Sequence, residues 1–97
     1  MKAVMIIFNQ ANTERVEYLL DELKINGFTL FEQVQGRGTN GGEPRRGTHC
    51  WPEMNSAVMT VVEDEKVPEL LKTVRKLDLR NTDVGVRAFV WNIEATV

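Results

Sequence analysis

An uninterrupted apolar run, Ala3-Val4-Met5-Ile6-Ile7-Phe8, lies near the start of the chain and ends at Asn9-Gln10. A short apolar run bounded by polar residues is typical of a β-strand that is buried on both faces. The run is too short for a membrane span, which needs about 18 apolar residues. It also lacks the small-residue cleavage pattern of a signal peptide. We therefore expect a first strand, with no signal peptide and no membrane insertion.

A helix is predicted next, because apolar residues recur at helical spacing. Asn12 or Thr13 is expected to cap its start, and Gly27 is expected to end it in the left-handed conformation. The apolar positions of this helix are Val16, Leu19, Leu20 and Leu23.

Two strands follow, over residues 28–35 and 56–63. Strict alternation in the first of them places Phe28, Leu30 and Val34 on one face. A second helix is expected from Asp64 or Glu65, then a turn over residues 79–84 and a last strand over 85–93. The second helix would bury Val67, Leu70, Leu71, Val74 and Leu77.

The element order β-α-β-β-α-β predicts an α+β, ferredoxin-like domain over residues 1–97. Its four-stranded antiparallel sheet would carry both helices on one face. The first and last strands are apolar on both sides, so the other face would expose a patch larger than monomers usually tolerate. We therefore expect a homo-oligomer, a closed ring of two or three subunits.

Composition excludes several classes of function. The net charge of −2 disfavours a nucleic-acid-binding protein, which usually carries a basic patch. The one cysteine cannot form an internal disulfide, which favours a reducing, cytoplasmic location. We find no spacing that suggests a catalytic triad or a nucleophile–base pair, and we predict a protein that is not an enzyme.

The second and third strands are separated by a long loop, residues 36–55. It contains five of the seven glycines, two of the three prolines, and the only His and Cys. Connections of about twenty residues are uncommon in compact domains and are usually functional or disordered. The loop is therefore the first place to look for a binding site.

This chain resembles the P-II family of signal-transduction proteins. The resemblance rests on the element order, the size and the long loop, and is strongest over residues 25–47. The matching residues are Ile25-Asn26-Gly27-Phe28-Thr29-Leu30-Phe31-Glu32, Gly36-Arg37-Gly38 and Arg46-Gly47. The divalent-cation-tolerance (CutA) proteins, which share the trimeric fold, are the second-closest resemblance.

The resemblance implies a non-enzymatic regulatory trimer that senses a small effector in the clefts between subunits. Loop 36–55 would correspond to the T-loop, which docks on a partner such as a membrane transporter or a metabolic enzyme. Thr29 and Gly36 match family positions near the nucleotide cleft. Arg87 on the last strand would replace a family lysine, because segment 77–85 is short and contains none.

The loop residues themselves suggest an anion site. Gly36 and Gly38 can point backbone N–H groups at an anion, and arginine binds phosphate or carboxylate through paired hydrogen bonds. The effector would then be an adenine nucleotide or another small anion. The three arginines can equally be solvated side chains that keep the loop soluble; they are Arg37, Arg45 and Arg46.

His49 and Cys50 offer an alternative. Imidazole and thiolate suit Cu or Zn, which would make the chain a metal-binding or metal-tolerance protein of the CutA type. Adjacent residues of an extended chain point in opposite directions, so several subunits would have to pool ligands. Trp51 is expected either to anchor the loop or, with Arg45 and Arg46, to contact the partner protein.

Overall fold

The strands and helices of the computed structural model follow the predicted order. The structure describes residues 1–37, 46, 54–80 and 85–97. Short 3₁₀ turns, Gln10–Asn12 and Asp64–Lys66, precede the two helices. The elements are β1 (Lys2–Asn9), α1 (Thr13–Glu22), β2 (Thr29–Val34), β3 (Asn55–Val62), α2 (Val67–Arg80) and β4 (Arg87–Asn92).

The sheet has the strand order β2-β3-β1-β4, and every neighbouring pair is antiparallel. Successive side chains of a strand point to opposite faces, so the even-numbered positions of β1 and β3 lie on one face of the sheet and the odd-numbered positions lie on the other. The even positions pack with α1 and α2 in one core. Both helices therefore cover the same face, as predicted.

This core is small and closely packed. Phe8, Ile6 and Leu70 are fully buried in it, and burial of a side chain of this size contributes about 1.5–3 kcal/mol. The remaining members of the core are Val4, Val16, Leu19, Leu20, Ile25, Val58, Val62, Val74, Leu77 and Val86. Leu71, which was predicted in this stripe, is only partly buried and lies outside the cluster.

The start of α1 differs in part from the prediction. Asn12 is the N-cap residue, but the side-chain cap bond lies one turn earlier: the Asn9 side-chain oxygen accepts the Ala11 N–H at 2.9 Å and caps the 3₁₀ turn. Asn12 makes no side-chain cap bond and is itself buried. Asn9 is still extended, which is the usual backbone conformation of a capping residue, and its side chain satisfies one free N–H at the start of the 3₁₀ turn.

The end of α1 also differs. Lys24, with φ of 59°, takes the left-handed position that the sequence assigned to Gly27. The Lys24 N–H donates to the Asp21 carbonyl at 3.0 Å, and the Ile25 N–H donates to the Leu20 carbonyl at 2.9 Å. This pair of bonds is the Schellman motif. The early stop lets Ile25 enter the core.

Replacing Lys24 by glycine should therefore stabilise the protein. A left-handed conformation costs a non-glycine residue about 1–2 kcal/mol, and the greater freedom of unfolded glycine offsets part of that gain. We expect Lys24→Gly to raise the free energy of unfolding in urea by about 0.5–1 kcal/mol. Asn26→Gly, two residues away and without a positive φ, is the control and should be neutral or destabilising. Destabilisation by Lys24→Gly would contradict the assignment.

Helix α2 is longer than expected, because it continues through Leu79 and Arg80, where a turn was predicted. Residues 81–84 of that predicted turn lie outside the described residues. The Lys66 ammonium donates to the Leu23 carbonyl at 2.7 Å and so joins the start of α2 to the end of α1. In the described residues, neither helix has the length and hydropathy needed to cross a bilayer.

The Met1 ammonium lies 2.9 Å from Asp64 Oδ1 at the β3–α2 junction. Its hydrogen bond holds the pKa of the Asp64 carboxyl below the usual 3.8. A depressed pKa adds stability above the unfolded-state pKa, and this contribution disappears as pH falls through the folded-state value. We expect Asp64→Asn to be less stable than wild type at neutral pH, by denaturant unfolding, with the gap closing as pH falls below the ordinary carboxyl pKa of 3.8 and through the lowered folded-state pKa. A gap of the same size in acid would contradict this pairing.

Candidate functional site

The sheet face opposite the helices, called the open face here, is apolar across all four strands. The strand register lines up its side chains in three rows. The rows are Phe31–Ala57–Ile7–Arg87, Thr29–Met59–Met5–Phe89 and Val61–Ala3–Trp91. Directly opposite side chains lie within contact distance, so the apolar members form one continuous patch.

Much of this patch is accessible to solvent in the single chain. Phe89 is 53% exposed, and Phe31, Trp91 and Val61 are each more than 40% exposed. Soluble monomers rarely present a continuous apolar surface of this kind. The open face therefore has the character of an interface, which agrees with the predicted oligomer.

Loop 36–55 leaves the sheet where β2 ends and β3 begins. Here the β2–β3 register slips: Phe31 pairs with Ala57, but Val34 pairs with Asn55. One extra residue is accommodated on β2, and Gln33 takes a φ of 56°. The bulge turns Val34 onto the open face with Phe31, so the predicted grouping of Val34 with Leu30 is wrong. Alternation breaks at a bulge because two residues oppose one.

Gly36 follows the bulge and packs against Asn55. A Cβ placed on Gly36 would lie 2.8 Å from Asn55 Nδ2, closer than real Cβ contacts allow. Asn55 is buried, and Asn9 is its partner on β1. The Gln10 N–H also donates to the Met54 carbonyl at 3.0 Å, so the far end of the loop is held to the chain after β1. Sequence reasoning missed Asn55, since a single asparagine at a strand start carries no distinctive pattern.

The predicted effector residues do not all come together in one chain. Thr29 lies on β2 and Arg87 on β4, at opposite edges of the sheet and three strand spacings of about 4.8 Å apart. Gly36 and the exposed Arg37 lie on the β2 side. Arg87 is exposed and its Nη1 donates to the Val86 carbonyl at 2.8 Å. Within one chain, Thr29 and Arg87 are therefore too far apart to contact the same small anion such as bicarbonate.

Several predicted site residues fall outside the described residues: Gly38, Arg45, His49, Cys50 and Trp51. Arg46 is described and exposed. Within residues 1–37, 46, 54–80 and 85–97, no three His, Cys, Asp or Glu side chains come together as a metal site. The metal site at His49 and Cys50 stays a prediction from sequence.

An open groove of about 570 Å³ lies beside the start of α1. Glu14, Glu17 and Glu32 line it, so its negative charge opposes binding of an anion. On the outer side of the same helix, a hydrogen bond to the Glu22 carboxylate raises the pKa of the Tyr18 hydroxyl. The groove is therefore a poor candidate for the predicted anion site.

Comparison with known proteins shows which protein family the sequence matches. The family model for nitrogen regulatory protein P-II matches residues 1–97. No curated protein sequence matches the chain significantly.

Solved structures resemble the chain in fold. One is CPII, a nitrogen regulatory PII-like protein from Thiomonas intermedia, bound to ADP, AMP and bicarbonate (TM-score 0.78, 23% identity, 95% of this chain and 84% of that chain). A second structure of CPII, bound to ADP and bicarbonate, has a TM-score of 0.76 at 24% identity over the same shares. A PII-like signalling protein from Thermus thermophilus has a TM-score of 0.71 at 22% identity, over 95% and 85% of the two chains. These likenesses confirm the predicted fold.

Proposed function

Because this chain belongs to the nitrogen regulatory protein P-II family, we propose that it is a homotrimeric sensor of a small anionic effector. The effector, an adenine nucleotide in the first place, binds in clefts between subunits. Effector binding orders loop 36–55, which then docks on a partner protein. The family consists of regulatory proteins, and the expected absence of an enzymatic activity agrees with this membership.

The open face supports the assembly. Burial of its three apolar rows against other copies removes Phe31, Met59, Phe89 and Trp91 from water. This burial favours association by about 25 cal/mol for each Å² of apolar surface covered. A ring with closed symmetry covers the face on every subunit at once and leaves no unpaired copy.

The single observation that carries the proposal is the separation of the candidate residues between the two edge strands. Thr29, Gly36 and Arg37 lie on the β2 side, and Arg87 lies on β4. In a ring that packs sheet edges side by side, the β2 edge of one subunit meets the β4 edge of the next. The cleft between them then collects Arg37 and Arg87, and each positive charge attracts the same anion.

The choice of effector rests on charge and on the relatives. Paired arginines and glycine N–H groups suit phosphate and carboxylate oxygens. One structure of CPII is bound to ADP, AMP and bicarbonate, and another is bound to ADP and bicarbonate. We propose the same two chemical classes here, an adenine nucleotide and a small oxyanion such as bicarbonate.

Loop 36–55 contains the residues that we expect to contact the regulated partner protein. Arg45, Arg46 and Trp51 lie in the segment between Gly36 and Asn55, and arginine and tryptophan are the residue types enriched in binding hot spots. We propose that they contact the regulated partner, either a membrane transporter or a metabolic enzyme. An effector that orders the loop would change this contact by an order–disorder transition.

Calorimetry tests the proposal. ATP, ADP, AMP, cyclic nucleotides and bicarbonate are titrated separately and in pairs into the purified protein. We expect at least one adenine nucleotide to bind and to slow trypsin cleavage within loop 36–55. Heat signals that are absent across the whole panel would overturn the proposed effector class.

A further inference from the structure

The base of loop 36–55 contains a contact that the proposed site does not itself require. Gly36 packs against the buried side chain of Asn55, so the residues at which the loop leaves and re-enters the sheet touch each other. Asn55 Nδ2 lies 2.8 Å from the position that a Cβ on residue 36 would take, too close for a side chain there without a shift. The contact joins the two ends of the loop directly.

A β-bulge lies just before Gly36, and it suggests what the contact between Gly36 and Asn55 does. Bulges redirect a strand and often re-aim a neighbouring side chain. Gln33 holds a left-handed conformation that costs a non-glycine residue free energy, and such conformations persist where the surroundings over-determine them. After the bulge, pairing between the two strands resumes at Val34, and its partner on β3 is Asn55. Asn55 therefore contacts the redirected segment twice, through the backbone register and through its carboxamide.

Arg37 follows Gly36 at once and is exposed. Because Arg37 is bonded directly to Gly36, the position of the Gly36 backbone sets the point from which the Arg37 side chain extends. We propose that Asn55 is a positioning residue for the effector site: its carboxamide holds Gly36, and thereby sets the direction in which Arg37 meets the anion. This inference rests on the proposed function for the identity of the ligand, but the contact that it names does not.

The contact is tested first by thermal unfolding of a double-mutant cycle. Gly36→Ala places a methyl group against Asn55 Nδ2, and we expect Tm to fall by about 5 °C or more. Asn55→Ala removes the obstacle, so the double variant should be more stable than the sum of the single effects. Gly27→Ala is the matched control, because a Cβ there meets no atom within 4 Å. Additive effects would overturn the proposal.

The positioning role is tested by ADP affinity. Arg37→Ala is expected to weaken ADP binding about tenfold, the loss of one charge-assisted hydrogen bond. Asn55→Ala should weaken it by a similar factor, and the double variant should lose little more. Asn12→Ala is the control, because Asn12 is buried to the same extent but belongs to the turn before α1. Unchanged ADP affinity in Asn55→Ala would assign Asn55 a purely structural role and overturn the inference.

Trypsin cleavage after Arg37 separates this inference from the proposed function. If wild-type protein binds no ADP, the effector proposal fails while the positioning of Arg37 can still be measured. We expect the Arg37–Gly38 bond to be cut several-fold faster in Asn55→Ala than in wild type, since Gly36 is then no longer held. The Asn12→Ala control should be cut at the wild-type rate. Equal cleavage in Asn55→Ala and wild type would overturn the inference.

Discussion

We expect the Met5→Asp variant to sediment as single chains of 11.1 kDa, whereas the wild-type protein sediments as three such chains together. Met5 lies in the middle row of the open face, between Met59 on β3 and Phe89 on β4. In the assembled ring, the neighbouring copies would cover an aspartate at this position and remove its carboxylate from water. Burial of an unpaired charge costs several kcal/mol, which is enough to dissociate a ring of small subunits.

The fold of the single chain should survive this substitution. Met5 is only partly buried within one chain, and it lies on the face away from the core. Circular dichroism should therefore give a folded spectrum for Met5→Asp. Tyr18→Asp is the matched control, because Tyr18 is 65% exposed on the opposite, helical side and is not part of the open face. Sedimentation velocity measures the oligomeric state of all three proteins, and a monomeric wild type would contradict the proposed trimer.

The second large effect concerns the sharing of the site between subunits. Arg37→Ala and Arg87→Ala should each weaken binding of the effector about tenfold or more, as the loss of a charge-assisted hydrogen bond implies. Mixed trimers made by unfolding and refolding the two variants together should recover binding. In such a mixture about a quarter of the clefts combine an intact Arg37 edge with an intact Arg87 edge, if subunits assemble at random.

Calorimetry on the mixture measures this recovery as a fraction of tight sites. The control is the double variant Arg37→Ala/Arg87→Ala mixed with itself, which has no intact cleft and should show none. A mixture that binds no better than the separate variants would place both arginines in a site within one chain. The separation of β2 and β4 across the sheet makes the shared site the expected outcome.

Sequence pattern alone predicted the regular elements well where burial decides conformation. The run over residues 3–8 and the helical spacing from Leu70 to Leu77 both required an apolar surface to be covered, and β1 and α2 form there. The open apolar face followed from the same reasoning. Hydrophobic periodicity is a local signal, and the elements that it predicts need no knowledge of distant residues.

The element ends were less predictable. Gly27 was assigned to the end of α1, but the helix stops earlier, at a left-handed Lys24, so that Ile25 enters the core. At the start of the same helix, Asn12 is the N-cap residue as predicted but makes no side-chain cap hydrogen bond, and Asn9 caps the preceding 3₁₀ turn. Several residues near each end of the helix are chemically able to cap or terminate it, and tertiary packing determines which of them does so.

The residues of this chain determined the order of its strands and helices, the burial of one sheet face and the exposure of the other, because each depends on the spacing of apolar side chains along a single element. Only the tertiary structure decided that Thr29 and Arg87 lie at opposite edges, that Val34 turns to the open face, and that Asn55 packs against Gly36. Those relations join residues far apart in sequence, and they are set by strand order, register and a bulge, none of which leaves a local pattern in the sequence.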